Sequence, residues 1–170
     1  ATATGTILND DFGSIGIAAV VGSRQEGQSG ASAFTYAVTR TTDVGTASVN
    51  WAVAHGTTVA ADFSGATRGT VTFAAGEMVK LVTVSALGDT VVESNEAFNV
   101  VLSGAVGATL GTASSAGTIL NDDLPAVSIV ATAASKAEGT GGTTPFTFTV
   151  SRNNSLGTSQ VSWTVLHGTT

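Results

Sequence analysis

The residues best suited to chemistry in this chain are its carboxylates. Glu26 opens the Gly-rich stretch Glu26–Gly30. Asp62 precedes Phe63. Asp89, Glu93 and Glu96 share the segment 88–96, and Asp122 and Asp123 close an apolar run. Nearly all fall at predicted strand ends or in loops rather than on strand faces. Carboxylates that converge repel one another unless a cation lies among them. A hard cation fits: Ca2+ takes six to eight oxygen ligands in irregular geometry, whereas Mg2+ demands a near-ideal octahedron. Turn chemistry is the competing explanation, because Asp favours turns through local hydrogen bonds. Composition alone leaves both open.

His55 returns as His167, one histidine per repeat, with no Ser or Cys beside it to form a nucleophilic site. It reads as a strand-end histidine in a turn. Imidazole suits softer metals than the carboxylates do. Trp51, with its counterpart Trp163, reads as a core residue, since bulky aromatics dominate sandwich cores. The other use of Trp51 is a sugar-stacking platform, which requires exposure to solvent. Arg40 and Arg152 end strands at equivalent positions and read as structural capping residues.

The elements that must position these groups are short strands. Phe34, Tyr36 and Val38 alternate onto one face, as do Val49, Trp51 and Val53. The same period of two marks 70–73, 79–85, 97–102 and 112–120. Turn signals separate them at 26–30, 43–45, 74–77, 88–89 and 103–107. No stretch has helical periodicity with caps. About seven strands in one repeat predict an all-β, immunoglobulin-like antiparallel β-sandwich with Greek-key connections. Alternate loops of a sandwich collect at one pole, so the carboxylates can meet there.

The chain also repeats itself. Gly5-Thr6-Ile7-Leu8-Asn9-Asp10-Asp11 returns as Gly117 to Asp123, 112 residues later. The same offset carries Glu26 to Glu138, Phe34 to Phe146, Arg40 to Arg152, and His55-Gly56-Thr57-Thr58 to His167-Gly168-Thr169-Thr170. A period of this length is one domain in a tandem array. The expected division is residues 1–11 as the closing strand of one repeat, 14–123 as a complete domain and 126–170 as the opening of another. The first residue is Ala and the last repeat stops midway, so the stretch reads as a window from a longer array. Asp10 and Asp11 would then serve the preceding repeat, and Glu138 the following one.

Composition narrows the function. Six basic residues against twelve acidic give a net charge of −6. With no basic patch, nucleic-acid binding is disfavoured. No apolar run reaches a membrane span. The absence of Cys removes disulfides and thiolate zinc sites. In a secreted array that absence points to metal ions as the stabiliser.

In order along the chain, Glu26-Gly27, Val38-Thr39-Arg40, His55-Gly56-Thr57-Thr58 with Ala61-Asp62-Phe63, Gly69 to Phe73 with Ala75-Gly76-Glu77, Asp89 to Phe98, and Gly117 to Asp123 together resemble the Calx-beta domain family. The resemblance covers the whole chain as one full and two partial copies. It implies calcium ligands at Glu26, Asp62, Asp89, Glu93, Asp122 and Asp123. Thr90, Asn121 and His55 stand where richer calcium binders of the family carry acids, which implies fewer ions and weaker binding. The expected function is a structural or adhesive repeat of an extracellular, cell-surface fibre, with calcium stiffening the junctions between repeats. Its partners would be neighbouring repeats and neighbouring copies in the fibre. The alternatives are a glycan- or protein-binding module and a Calx-beta calcium sensor. No enzymatic role is expected, since no pocket-forming insert interrupts the strands.

Overall fold

Alternation at period two requires two faces, one dry and one wet, and two such sheets bury each other's dry faces. The computed structural model, which describes residues 1–6 and 11–167, has this arrangement. The closing-strand segment Ile7 to Asp10 and the repeated Gly168 to Thr170 lie outside the described residues. By packing, the chain divides into one unit of Ala1–Thr90 with Ser94–Asp122, and another of Val91–Glu93 with Asp123–Thr170.

The first unit is the sandwich. Its strands are β1 (Ser14–Val21), β2 (Ser23–Gln25), β3 (Ala31–Arg40), β4 (Ala47–His55), β5 (Phe63–Ser64), β6 (Arg68–Phe73), β7 (Val79–Leu87), β8 (Glu96–Val106), β9 (Thr109–Leu110) and β10 (Ser114–Leu120). One sheet runs β5-β7-β3-β1-β9 and the other β2-β10-β8-β4-β6. The chain passes between sheets at Gly22, where a Cβ would lie 3.2 Å from the Ala116 carbonyl oxygen. A shift of register between Ala19 and Val21 precedes that crossing. Residues 1–6 are exposed and have no regular structure.

The alternating residues make the core. Phe34, Tyr36, Val38 and Val49 are fully buried, as are Phe73, Val84 and Val100. Phe98 sits at the centre, with Phe34 and Phe63 edge-on to it at 5.3 and 5.1 Å between ring centroids. Gly117 lets the rings close up, since a Cβ there would lie 2.3 Å from Phe98 Cζ and 2.5 Å from the Tyr36 hydroxyl. Trp51 is buried against β6, where its cross-strand partner is Gly69. A Cβ on Gly69 would come within 2.8 Å of the indole nitrogen.

The second unit is sparse. Its regular structure is the antiparallel pair β11 (Val127–Ala131) and β12 (Phe148–Arg152), and every residue of both strands is exposed.

Candidate metal centre

Strand direction sorts the acidic loops of the sandwich into two poles. β3 begins at Ala31 and ends at Arg40, while its partner β7 runs from Val79 to Leu87 in the opposite sense. Glu26–Gly30, before β3, and Gly88-Asp89, after β7, therefore share one pole. β5 pairs Phe63 with Ala86, which brings Asp62 to the same end. β10 ends beside β2, where Leu120 faces Gln25, and this delivers Asp122. Glu96 starts β8 opposite Ile119. Asp43 and Glu77 go to the other pole.

Specific contacts draw the first-pole loops together. The Gly27 N–H donates to Asp122 Oδ1 at 3.1 Å, across 95 residues of sequence. The Glu26 N–H donates to the Leu120 carbonyl at 3.2 Å, and the Glu26 carbonyl accepts from the Ser32 hydroxyl at 2.9 Å. The Gly88 N–H donates to the Gly30 carbonyl at 3.1 Å. Gly88 packs so closely here that a Cβ would lie 2.1 Å from the Gly27 carbonyl oxygen and 2.7 Å from that of Glu26. Asp62 ends a 3₁₀ turn at Ala60–Asp62, where its Oδ2 accepts the Val59 N–H at 2.6 Å.

Glu26, Asp62, Asp89 and Asp122 thus come from four loops to one pole of the sandwich. Glu26 is buried, Asp62 and Asp122 half-buried, and Asp89 exposed. Glu93 and Asp123 group with the second unit, where Glu93 is exposed and Asp123 is 5% exposed. Asp123 has interacting neighbours, and among the described residues none donates a hydrogen bond to its buried Oδ2. Among the described residues, no three His, Asp or Glu side chains are gathered tightly enough to hold a metal ion as they stand. The pole therefore supplies the donors without closing a coordination shell. All are oxygens, the donor type a hard cation takes.

His55 belongs to this pole too. Its Nδ1 lies 3.2 Å from the Thr58 hydroxyl, and its ring packs 5.5 Å from that of Phe63. It is the hydrogen-bonded last residue of β4. Trp51 is covered by protein, which removes the sugar-platform role.

Sequence reasoning found no partner for Arg40, and the structure supplies four. Its guanidinium donates to the carbonyls of Glu77 at 2.6 Å, Ala74 at 2.8 Å, Asp43 at 3.1 Å and Gly45 at 3.2 Å, and lies over the Phe73 ring. All four acceptors are backbone oxygens, so no side chain in the sequence announced them. This buried cation orders the second pole. Beside it, Lys80 pairs with Glu77 at 2.7 Å. Hydrogen bonds from Lys80 and the Ala74 N–H hold the Glu77 carboxyl below its usual range.

Residues 9–124 match the family model of the Calx-beta domain. Among solved structures, the fold is similar to the apo form of the Calx CBD1 domain, with 22% identity and a TM-score of 0.54 over 64% of this chain and 98% of that one. It is also similar to the calcium binding domain CBD12 of CALX1.1, with 26% identity and a TM-score of 0.53 over 63% of this chain and 44% of that one. For CBD12 of CALX1.2 the values are 26% and 0.54, over 63% and 45%. No curated protein matches the chain.

Proposed function

Because the chain belongs to the Calx-beta domain family, we propose that its sandwich is a calcium-binding module of an extracellular, cell-surface array. The observation that carries this reading is the hydrogen bond from Gly27 to Asp122. It ties the Glu26 turn to the last residue of the unit, at the pole that also receives Asp62 and Asp89. These four residues are the proposed ligands; the resemblance also implies Glu93 and Asp123, which group with the second unit. The likeness at 26% identity to a domain described as calcium binding supports the same chemistry. A bound ion supplies the positive charge that lets these carboxylates approach one another.

Asp122 is followed directly by Asp123-Leu124-Pro125 and the start of the second unit. Fixing Asp122 to the Glu26 turn therefore immobilises the chain just where it leaves the sandwich. Pro125 fixes one further backbone angle. In this reading calcium stiffens the exit from the domain, and repeats so joined form a straight stalk or adhesive fibre. The role is structural, with no catalytic step assigned. Among the described residues no helix is long and apolar enough to cross a membrane.

Isothermal titration tests the site. The chain should bind calcium, and D89N/D122N should bind at least tenfold more weakly. Equal affinity in the two proteins would remove the assignment. Small-angle scattering tests the stiffening separately: the maximum dimension should rise with calcium and fall with chelator.

A further inference from the structure

An antiparallel strand turns the N–H and C=O groups of alternate residues toward opposite neighbours. In β7 this parity is fixed at both ends. The Arg40 N–H donates to the Met78 carbonyl at 3.0 Å, and the Gly88 N–H to the Gly30 carbonyl at 3.1 Å. Given the register between β3 and β7, Lys80, Val82, Val84 and Ala86 bond to β3. Val79, Leu81, Thr83 and Ser85 turn their backbone groups to the other edge. There β5 takes up only Ser85 and Ala86, through Ser64 and Phe63. Among the described residues no strand pairs with Val79, Leu81 and Thr83 along that edge. The edge is formed wholly by residues 31–87 of the first unit.

The other sheet ends of this unit are guarded, as open edges usually are, by shortness, charge or a covering side chain. β9 and β2 are two and three residues long. β6 exposes Arg68, Thr70 and Thr72. Where β1 leaves β3, the Arg24 guanidinium covers the Ala33 carbonyl at 3.2 Å. The open edge of β7 carries instead Val79, 54% exposed, and Leu81, 65% exposed. With Thr83 they form the outward row of the strand. That surface continues across β3 as Thr35, Ala37 and Thr39 and across β1 as Gly16 and Ala18. None of these residues is charged, in a chain of net charge −6. The repeated strands keep the neutrality with different residues: 112 positions on, Gly16, Ala18, Ala37 and Thr39 become Ser128, Val130, Thr149 and Ser151. The one charge of β7, Lys80, alternates to the other face of the strand and pairs with Glu77 at 2.7 Å.

We propose that β7 pairs antiparallel with β7 of a second copy of this chain, so that the sheet runs on from one molecule into the next. Open backbone groups at alternate residues recognise an extended strand. Register and charge choose the copy's own β7 as that strand. Symmetric pairing about Leu81 sets Val79 opposite the copy's Thr83 and Leu81 opposite the copy's Leu81, which uses every backbone group the edge leaves open. Moving the axis one residue toward Val79 would set Lys80 directly against the copy's Lys80, and like charges so placed are destabilising. Moving it one residue the other way would require Ser85, already held by Ser64. Two molecules that each carry a charge of −6 repel through most of their surfaces, and here they meet on one without charge. The two outward rows then join, with the leucines packed against each other and each Val79 against a threonine methyl. The pairing rests on β7 alone and does not depend on calcium.

The chain contains no Cys, so L81C places a single thiol at the axis of the proposed pair. Cα atoms opposite each other at a hydrogen-bonded position lie about 5.5 Å apart, within disulfide reach. Under mild oxidation L81C should form a covalent dimer about tenfold faster, or more, than V106C. Val106 is the control because it is equally exposed, at the end of β8. Sedimentation of the parent chain should show a concentration-dependent monomer–dimer equilibrium. L81K, which alters an exposed side chain, should raise its dissociation constant about tenfold or more. I129D, in the second unit, should leave that constant as it is. A parent chain that stays monomeric at every concentration overturns the proposal. So does cross-linking of L81C no faster than that of V106C, a readout that stands even if L81K folds poorly. Association lost in I129D and kept in L81K overturns it equally, since the contact would then belong to the strands of the second unit.

Discussion

Gly88 sets how closely the acidic loop after β7 can approach the Glu26 turn. Its φ lies outside the left-handed region, so alanine meets no conformational penalty there and the obstacle is space alone. The added Cβ would sit 2.1 Å from the Gly27 carbonyl oxygen, where ordinary contact begins at 3.4 Å. The loop carrying Asp89 must therefore retreat by more than an ångström, or the Glu26 turn must. Both are backbone, and the Glu26 turn is bonded to Leu120 and Asp122. Forced shifts of this kind cost about 1–3 kcal/mol. For a unit of this size that lowers the melting temperature by roughly 4–12 °C. Because Asp89 moves with the loop, G88A should also weaken calcium binding. A tenfold loss of affinity takes ~1.4 kcal/mol from the calcium-dependent stabilisation. The assay is thermal unfolding of G88A and the parent chain in chelator and in calcium. G111A is the control, since its Cβ would meet only ordinary contacts at 3.5 Å. A G88A protein with the parent's melting temperature and calcium response would refute the reasoning.

Further outcomes follow from the same geometry. R40A leaves four carbonyl oxygens of the second pole without their buried donor, and should lose about 3 kcal/mol or more by urea denaturation. Burial pushes the Tyr36 hydroxyl up to about 12. The folded chain then holds that proton more tightly than the unfolded one, so this contribution to stability is complete below about pH 10 and is lost as pH rises toward 12. Spectrophotometric titration should accordingly show no tyrosinate near pH 10–11 until the protein unfolds. G69A drives a methyl group into the Trp51 indole and should destabilise by about 1–3 kcal/mol, with a red shift of the buried tryptophan emission.

Most of the sandwich was legible because its core strands alternate cleanly. The segments around Phe34, Val49, Val71, Val82 and Phe98 form strands that extend beyond the predicted limits. β1 escaped notice because Ala18 to Val21 is an unbroken apolar run, and its register slips where the strand leaves its sheet. β2 and β9 are too short to display a period. The site was half legible. Loop placement of the carboxylates could be read from composition, since acidic residues avoid strand faces. Their pole could not, because it depends on strand direction: Asp43 and Glu77 are also loop acids, yet they lie with Arg40 at the other end. The role of Gly88 was hidden for a related reason, as close backbone approach leaves no side-chain signature.

The measurement that bears most directly on the calcium-clamped array domain is the melting temperature of the chain in excess calcium against the same protein in chelator. At a hundredfold excess over the dissociation constant, binding to the folded state adds about 2.7 kcal/mol, and the melting temperature should rise by several degrees. D89N/D122N should abolish that rise while leaving the melting temperature in chelator nearly unchanged. Identical melting temperatures of the parent chain in calcium and chelator would contradict the account and leave the acidic pole as turn chemistry alone.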